Sequence, residues 1–74
     1  MAGNIKDLEQ KLQTTSDPRK KVDILNSLAW NKRYGDTKMA LKYSKQARIL
    51  SEENLYKKGL AYSQLYTAIC SFLL

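Results

Sequence analysis

Two residues, Gly35 and Asp36, stand between two stretches of helical apolar spacing, and they leave this chain few folds to choose from. Before them, Val22, Leu25, Leu28 and Ala29 recur on one helical face, with Ile24 at its margin. After them, Ala40, Tyr43, Ala47 and Leu50 recur at spacings of three, four and three. The expectation is that Gly35 takes a left-handed conformation that closes the first helix, while Asp36 caps the second. So short a connection doubles the chain back into an antiparallel helical hairpin. Ala40 and Ala47, one heptad apart, keep the contact face thin, so the neighbouring helix comes close.

The flanks read as helix too. Ile5, Leu8 and Leu12 form one stripe of a leading helix over about 4–14, which Thr14-Thr15-Ser16-Asp17-Pro18 ends. Asp17 is placed to accept from the free amides of the next turn. Pro18 suits a first helical position, where no amide hydrogen is needed. The hairpin spans about 18–54. A fourth helix follows over about 56–74, with Ala61, Leu65, Ala68, Ile69, Phe72 and Leu73 as its apolar residues. Gly59 weakens that helix by about 1 kcal/mol relative to alanine. No segment alternates with period two. The fold class expected is all-α, about four helices in one domain over 1–74.

Composition narrows the chemistry. There is one cysteine, Cys70, and no histidine. No intrachain disulfide is available, and the usual general base and metal ligand are both missing. Of the 7 acidic residues, Asp17 and Asp36 read as caps and Glu52 and Glu53 as a solvated turn, and no nucleophile–base–orienter arrangement can be assembled from the set. Gly3, Gly35 and Gly59 lie too far apart for a phosphate loop. An enzyme is not expected, nor a metal or cofactor. The most apolar stretch, Leu60 to Leu74, is interrupted by Ser63, Gln64, Thr67 and Ser71 and falls short of the roughly 20 residues of a membrane span. The N-terminus lacks the apolar core of a signal peptide. A soluble, cytoplasmic chain is expected.

A net charge of +6 favours acidic partners without choosing among them. Arg19-Lys20-Lys21, Lys32-Arg33, Lys38/Lys42/Lys45 and Lys57-Lys58 are spread over all the later helices, and five tyrosines accompany them. Lys38, Lys42 and Lys45 share one face. A small basic helical nucleic-acid-binding protein is therefore the alternative reading. A solvated outer face is the plainer account of the same lysines, and packing of Tyr43, Tyr62 and Tyr66.

A helix, a Gly-Asp turn, and a second helix with alanines seven apart resemble the tetratricopeptide repeat. Gly35-Asp36 matches that family's turn, Ala40 and Ala47 its small packing positions, and Leu50 its late apolar one. Leu25, Leu28 and Ala29 match the large, leucine and glycine positions of its first helix. The run Lys20 to Trp30 is also similar to repeats found beside bacterial signalling modules: sensor kinases, nucleotide cyclases and transcription regulators. The chain departs at Lys32, Ser44 and Glu52, where the family has tyrosine, an aromatic residue and proline. At an offset of 37, Leu28 falls on Leu65, so 56–74 looks like the first helix of a second, truncated repeat.

The resemblance implies a protein–protein interaction or assembly module, a fragment of a larger signalling protein. First helices of such repeats line a concave surface that holds a partner's peptide. On that geometry Asn26, Trp30 and Arg33 project from one groove helix, and Ser63 and Thr67 from the next. Trp30 reads equally well as core packing. Ile69, Phe72, Leu73 and Leu74 have no following helix within this sequence to cover them. They are expected to drive homo-oligomerisation, by a symmetric dimer or by a domain swap in which the third and fourth helices fuse across 52–59.

Overall fold

A computed structural model describes residues 5–74; the first residue of the expected leading helix, Asn4, lies outside them. Four helices follow one another: α1 (Ile5–Thr14), α2 (Pro18–Lys32), α3 (Thr37–Glu53) and α4 (Lys57–Leu73). There is no strand among the described residues, so the fold is all-α. None of the four helices is long and apolar enough to cross a membrane.

Local chemistry explains the starts. Asp17 accepts from the Arg19 amide at 3.0 Å with Pro18 in the first turn, and Asp36 accepts from the Met39 amide at 3.3 Å. Each satisfies a donor that the helix itself leaves without a partner. The α2–α3 turn closes differently from expectation. Gly35 does not adopt a positive φ. Arg33 continues α2 in right-handed conformation (φ −57°), and the Asp36 amide bonds back to the Lys32 carbonyl at 2.9 Å. One further helical turn thus does the work assigned to a left-handed glycine.

The left-handed residue is Leu55, φ 53°, in the α3–α4 turn. The Tyr56 amide reaches the Ser51 carbonyl across it at 2.9 Å, and the Asn54 side chain bonds the Leu50 carbonyl at 2.8 Å. This is the glycine-type helix ending, built on a leucine that sits in solvent. It keeps α3 and α4 separate; the fused helix entertained for a domain swap is not the conformation present.

The core is Leu8, Val22, Leu25, Leu28, Ala29, Tyr43 and Ala47, with Ile5, Leu12, Ile24, Met39, Leu50, Tyr56 and Tyr66 partly buried around it. Ala40 and Ala47 are fully buried, as their spacing implied. α1 is tied down by Glu9, which accepts from the Tyr43 hydroxyl at 2.9 Å and lies 3.8 Å from the Lys32 ammonium. α4 packs on α3 and also touches α2. Its buried residues are small: Gly59, Ser63 and Cys70. A Cβ on Gly59 would stand 2.4 Å from Val22 Cγ1. Only glycine lets α4 come this close to α2, which accounts for a residue that costs helix propensity.

Candidate functional groove

α2 and α4 run side by side in the same direction, because their contacts advance in step. Tyr56 donates to Asp23 at 2.7 Å, Asn26 Nδ2 donates to the Gly59 carbonyl at 3.1 Å, and the Trp30 and Tyr66 rings lie 5.5 Å apart. Between them runs an open groove of about 450 Å³. α2 supplies Asp23, Asn26, Ser27, Trp30 and Asn31; α4 supplies Lys58, Tyr62 and Tyr66.

The walls are aromatic. Tyr62 and Tyr66 are 5.9 Å apart, and Tyr66 meets Trp30. The Arg33 guanidinium covers the Trp30 ring at 3.4 Å from its centroid and reaches Tyr34 at 4.7 Å. Such stacking fixes the indole and leaves it 43% exposed. Burial raises the Tyr66 hydroxyl above its ordinary value, and Tyr62 adds to this while Arg33 opposes it. The Tyr56 hydroxyl is raised by its hydrogen bond to Asp23, then by burial. Both stay neutral donors at physiological pH. Cys70, behind Trp30, has its thiol raised by burial against the pull of Arg33, so it is a packing residue rather than a nucleophile.

Asn26 stands out. Its side chain is buried at the groove, its amide is committed to Gly59, and its Oδ1 has no hydrogen-bond partner. A buried carbonyl left without a donor costs about 1–3 kcal/mol. Most such groups in folded proteins are paired.

Of the expected partner-binding residues, Asn26 and Trp30 line the groove, and Arg33 braces it from behind Trp30. Ser63 and Thr67 do not line it. Ser63 is buried and donates to the Leu60 carbonyl of its own helix at 2.8 Å, while Thr67 donates to the Ser44 hydroxyl at 2.9 Å across the α3–α4 contact. The α4 residues in the groove are one position earlier, Tyr62 and Tyr66, a rotation of about 100° on a helix. The spacing Lys58, Tyr62, Tyr66 carries that signal as a row four residues apart, although both tyrosines read in sequence as packing. Asp23 was likewise missed.

Among the expected self-association residues, Phe72 is 90% exposed, and Leu73 and Leu74 are also exposed. Ile69 is half-buried beside Trp30, Tyr66 and Cys70, and so helps wall the groove side instead. No cluster of three acidic or thiol side chains among the described residues is able to hold a metal ion. No family model, curated protein or solved structure matches this chain.

Proposed function

We propose that the chain is a protein–protein interaction module of tetratricopeptide-repeat type whose α2–α4 groove holds an extended peptide segment of a partner within a larger signalling assembly. The observation that carries this reading is the open groove itself, in which Trp30 and Tyr62 stand exposed beside Tyr66 along the α2–α4 contact. Trp30, Tyr62 and Tyr66 offer faces against which a side chain packs, which is how interface anchors work. Lys58 and Asp23 add one charge of each sign to the lining.

The groove is a poor match to nucleic acid. Lys58 is the one cation among its lining residues and shares the lining with Asp23, while Lys38, Lys42 and Lys45 are exposed on α3 and line no part of it. A strand-binding surface interleaves its basic and aromatic residues.

The test is selection of peptides from a random display library on the full chain, followed by calorimetric titration. Selected peptides should lose affinity about tenfold or more with Trp30→Ala and with Tyr62→Ala, both partly exposed residues. Selection that yields no peptide sensitive to these substitutions refutes the reading. So does binding of nonspecific DNA or RNA that falls steeply with salt in place of peptide binding.

A further inference from the structure

α4 buries its small side and leaves its large apolar side in solvent. Ala61, Leu65, Ala68 and Phe72 are all exposed, Leu65 at 52% and Phe72 at 90%. Their spacing of four, three and four draws one seam along the helix. At 100° per residue, that seam lies about 180° from the line of Ser63 and Cys70, on the face pointing away from α2 and α3. A spacing of four, three and four is the a/d pattern by which two helices interlock side chains.

The seam is complementary to itself. When two copies of α4 lie antiparallel with Ala61 opposite Phe72 of the second copy, Leu65 falls opposite Ala68 of the second copy. The two-fold axis then repeats both pairs. Every layer therefore sets one small residue against one large one, the arrangement that lets facing side chains fill space without collision. In a parallel pairing Phe72 would meet Phe72 and Ala61 would meet Ala61, overfilled at one end and empty at the other.

Charge agrees with the antiparallel choice. From Gly59 to Leu74 there is no charged side chain, so no like charges are buried together along the seam. In a parallel pairing Lys57 and Lys58, at the start of α4, would come beside the same lysines of the second copy, whereas the antiparallel pairing holds them at opposite ends. The flanking Gln64 and Ser71 are neutral and exposed, so the seam carries no pattern that would select a charged foreign helix.

We infer that the Ala61–Leu65–Ala68–Phe72 face of α4 is the interface of a two-fold symmetric, antiparallel dimer of this chain. The pairing is isologous and closes on itself, so it gives dimers and not filaments. It requires no exchange of helices, because α3 and α4 remain folded back across Leu55. None of the four seam residues lines the α2–α4 groove, so two peptide grooves are carried on one dimer, and failure of either reading leaves the other intact.

Sedimentation equilibrium of the full chain across micromolar concentrations is the test. The chain should show a monomer–dimer equilibrium, and Leu65→Lys should raise the dimer dissociation constant at least about tenfold while helicity and melting of the dilute protein stay unchanged. A register test guards against general stickiness. Phe72→Ala alone and Ala61→Phe alone should each weaken the dimer, and the two together should restore it, because small and large have merely exchanged places. A chain that stays monomeric throughout overturns the inference. A dimer indifferent to Leu65→Lys, or a double variant no stronger than the single ones, also overturns it.

Discussion

Substitution of Gly59 by alanine sets two effects against each other, and the structure decides the sign. Alanine in place of glycine within a helix is worth about 1 kcal/mol of stability. Against this, the new methyl would lie 2.4 Å from Val22 Cγ1 and 2.6 and 2.9 Å from two carbons of the Tyr56 ring. Carbon atoms sit comfortably at about 3.5–4.0 Å, so roughly 1 Å or more of displacement is needed. Tyr56 is only half-buried and its ring can swing. Val22 is fully buried and β-branched, with little rotamer freedom.

The start of α4 must therefore back away from α2, which also stretches the 3.1 Å bond from Asn26 to the Gly59 carbonyl. Overfilling of this kind costs about 1–3 kcal/mol, and the hydrogen bond about 1 kcal/mol more. Net of the helix gain, Gly59→Ala should destabilise by about 1–3 kcal/mol, a fall in Tm of roughly 4–24 °C for a domain of this size. Circular dichroism melts and urea midpoints measure it. In a Val22→Ala background the clash with Val22 disappears and only the contacts with the half-buried Tyr56 ring remain, so the same change should cost less than in the parent. A Gly59→Ala protein that melts above the parent would refute the close approach of α4 to α2.

The turns give an opposed pair of results. Leu55→Gly relieves a left-handed leucine and should raise stability by about 1 kcal/mol, whereas Gly35→Ala, with no atom within 4 Å of the added Cβ and no positive φ, should change the melt little. A destabilised Leu55→Gly, or a Gly35→Ala that loses more than about 1 kcal/mol, would show the two turns to be exchanged. Alkaline pH should destabilise the chain. Tyr43, Tyr56 and Tyr66 from 10.0, and Cys70 from 9.0, all have raised pKa values in the fold. Folding therefore favours their protonated forms, so this stability is complete below the unfolded values and is lost as pH rises through the folded ones. Urea midpoints followed beyond pH 9 should fall, with tyrosinate absorbance appearing later than in the unfolded chain; a flat midpoint through that range would contradict the burial of these groups.

The parts of this fold that are legible in sequence are those fixed by neighbours along the chain. Asp17-Pro18 and Asp36 start helices because capping needs only a short side chain two or three residues from a free amide. The inner faces of α2 and α3 are legible because Leu25, Leu28, Ala40 and Ala47 repeat at helical spacing and face each other across a forced hairpin. Gly35 misleads because residue type states what a backbone can do, not what the next helix requires of it. Leu55 carries no local mark at all: it is left-handed because α3 and α4 must fold back where no glycine stands.

The rotation of α4 about its own axis is the step that local reasoning cannot take, and the site depends on it. Counting 37 residues from Asn26 and Trp30 gives Ser63 and Thr67, yet the groove is walled by Tyr62 and Tyr66. What sets the rotation is volume. Against α3, with Ala47, Ser44 and Ser51 buried, and against Val22 on α2, only the narrow side of α4 fits. Turning Gly59, Ser63 and Cys70 inward brings the Lys58–Tyr62–Tyr66 row to the edge facing α2, where it meets Trp30 and completes the groove. The same turn carries Leu65 and Phe72 to the far side. Groove and exposed seam are thus two results of one packing choice. A larger residue at position 59 or 63 would rotate or lift α4 and disturb both surfaces together, whereas Leu65→Lys would disturb the seam alone.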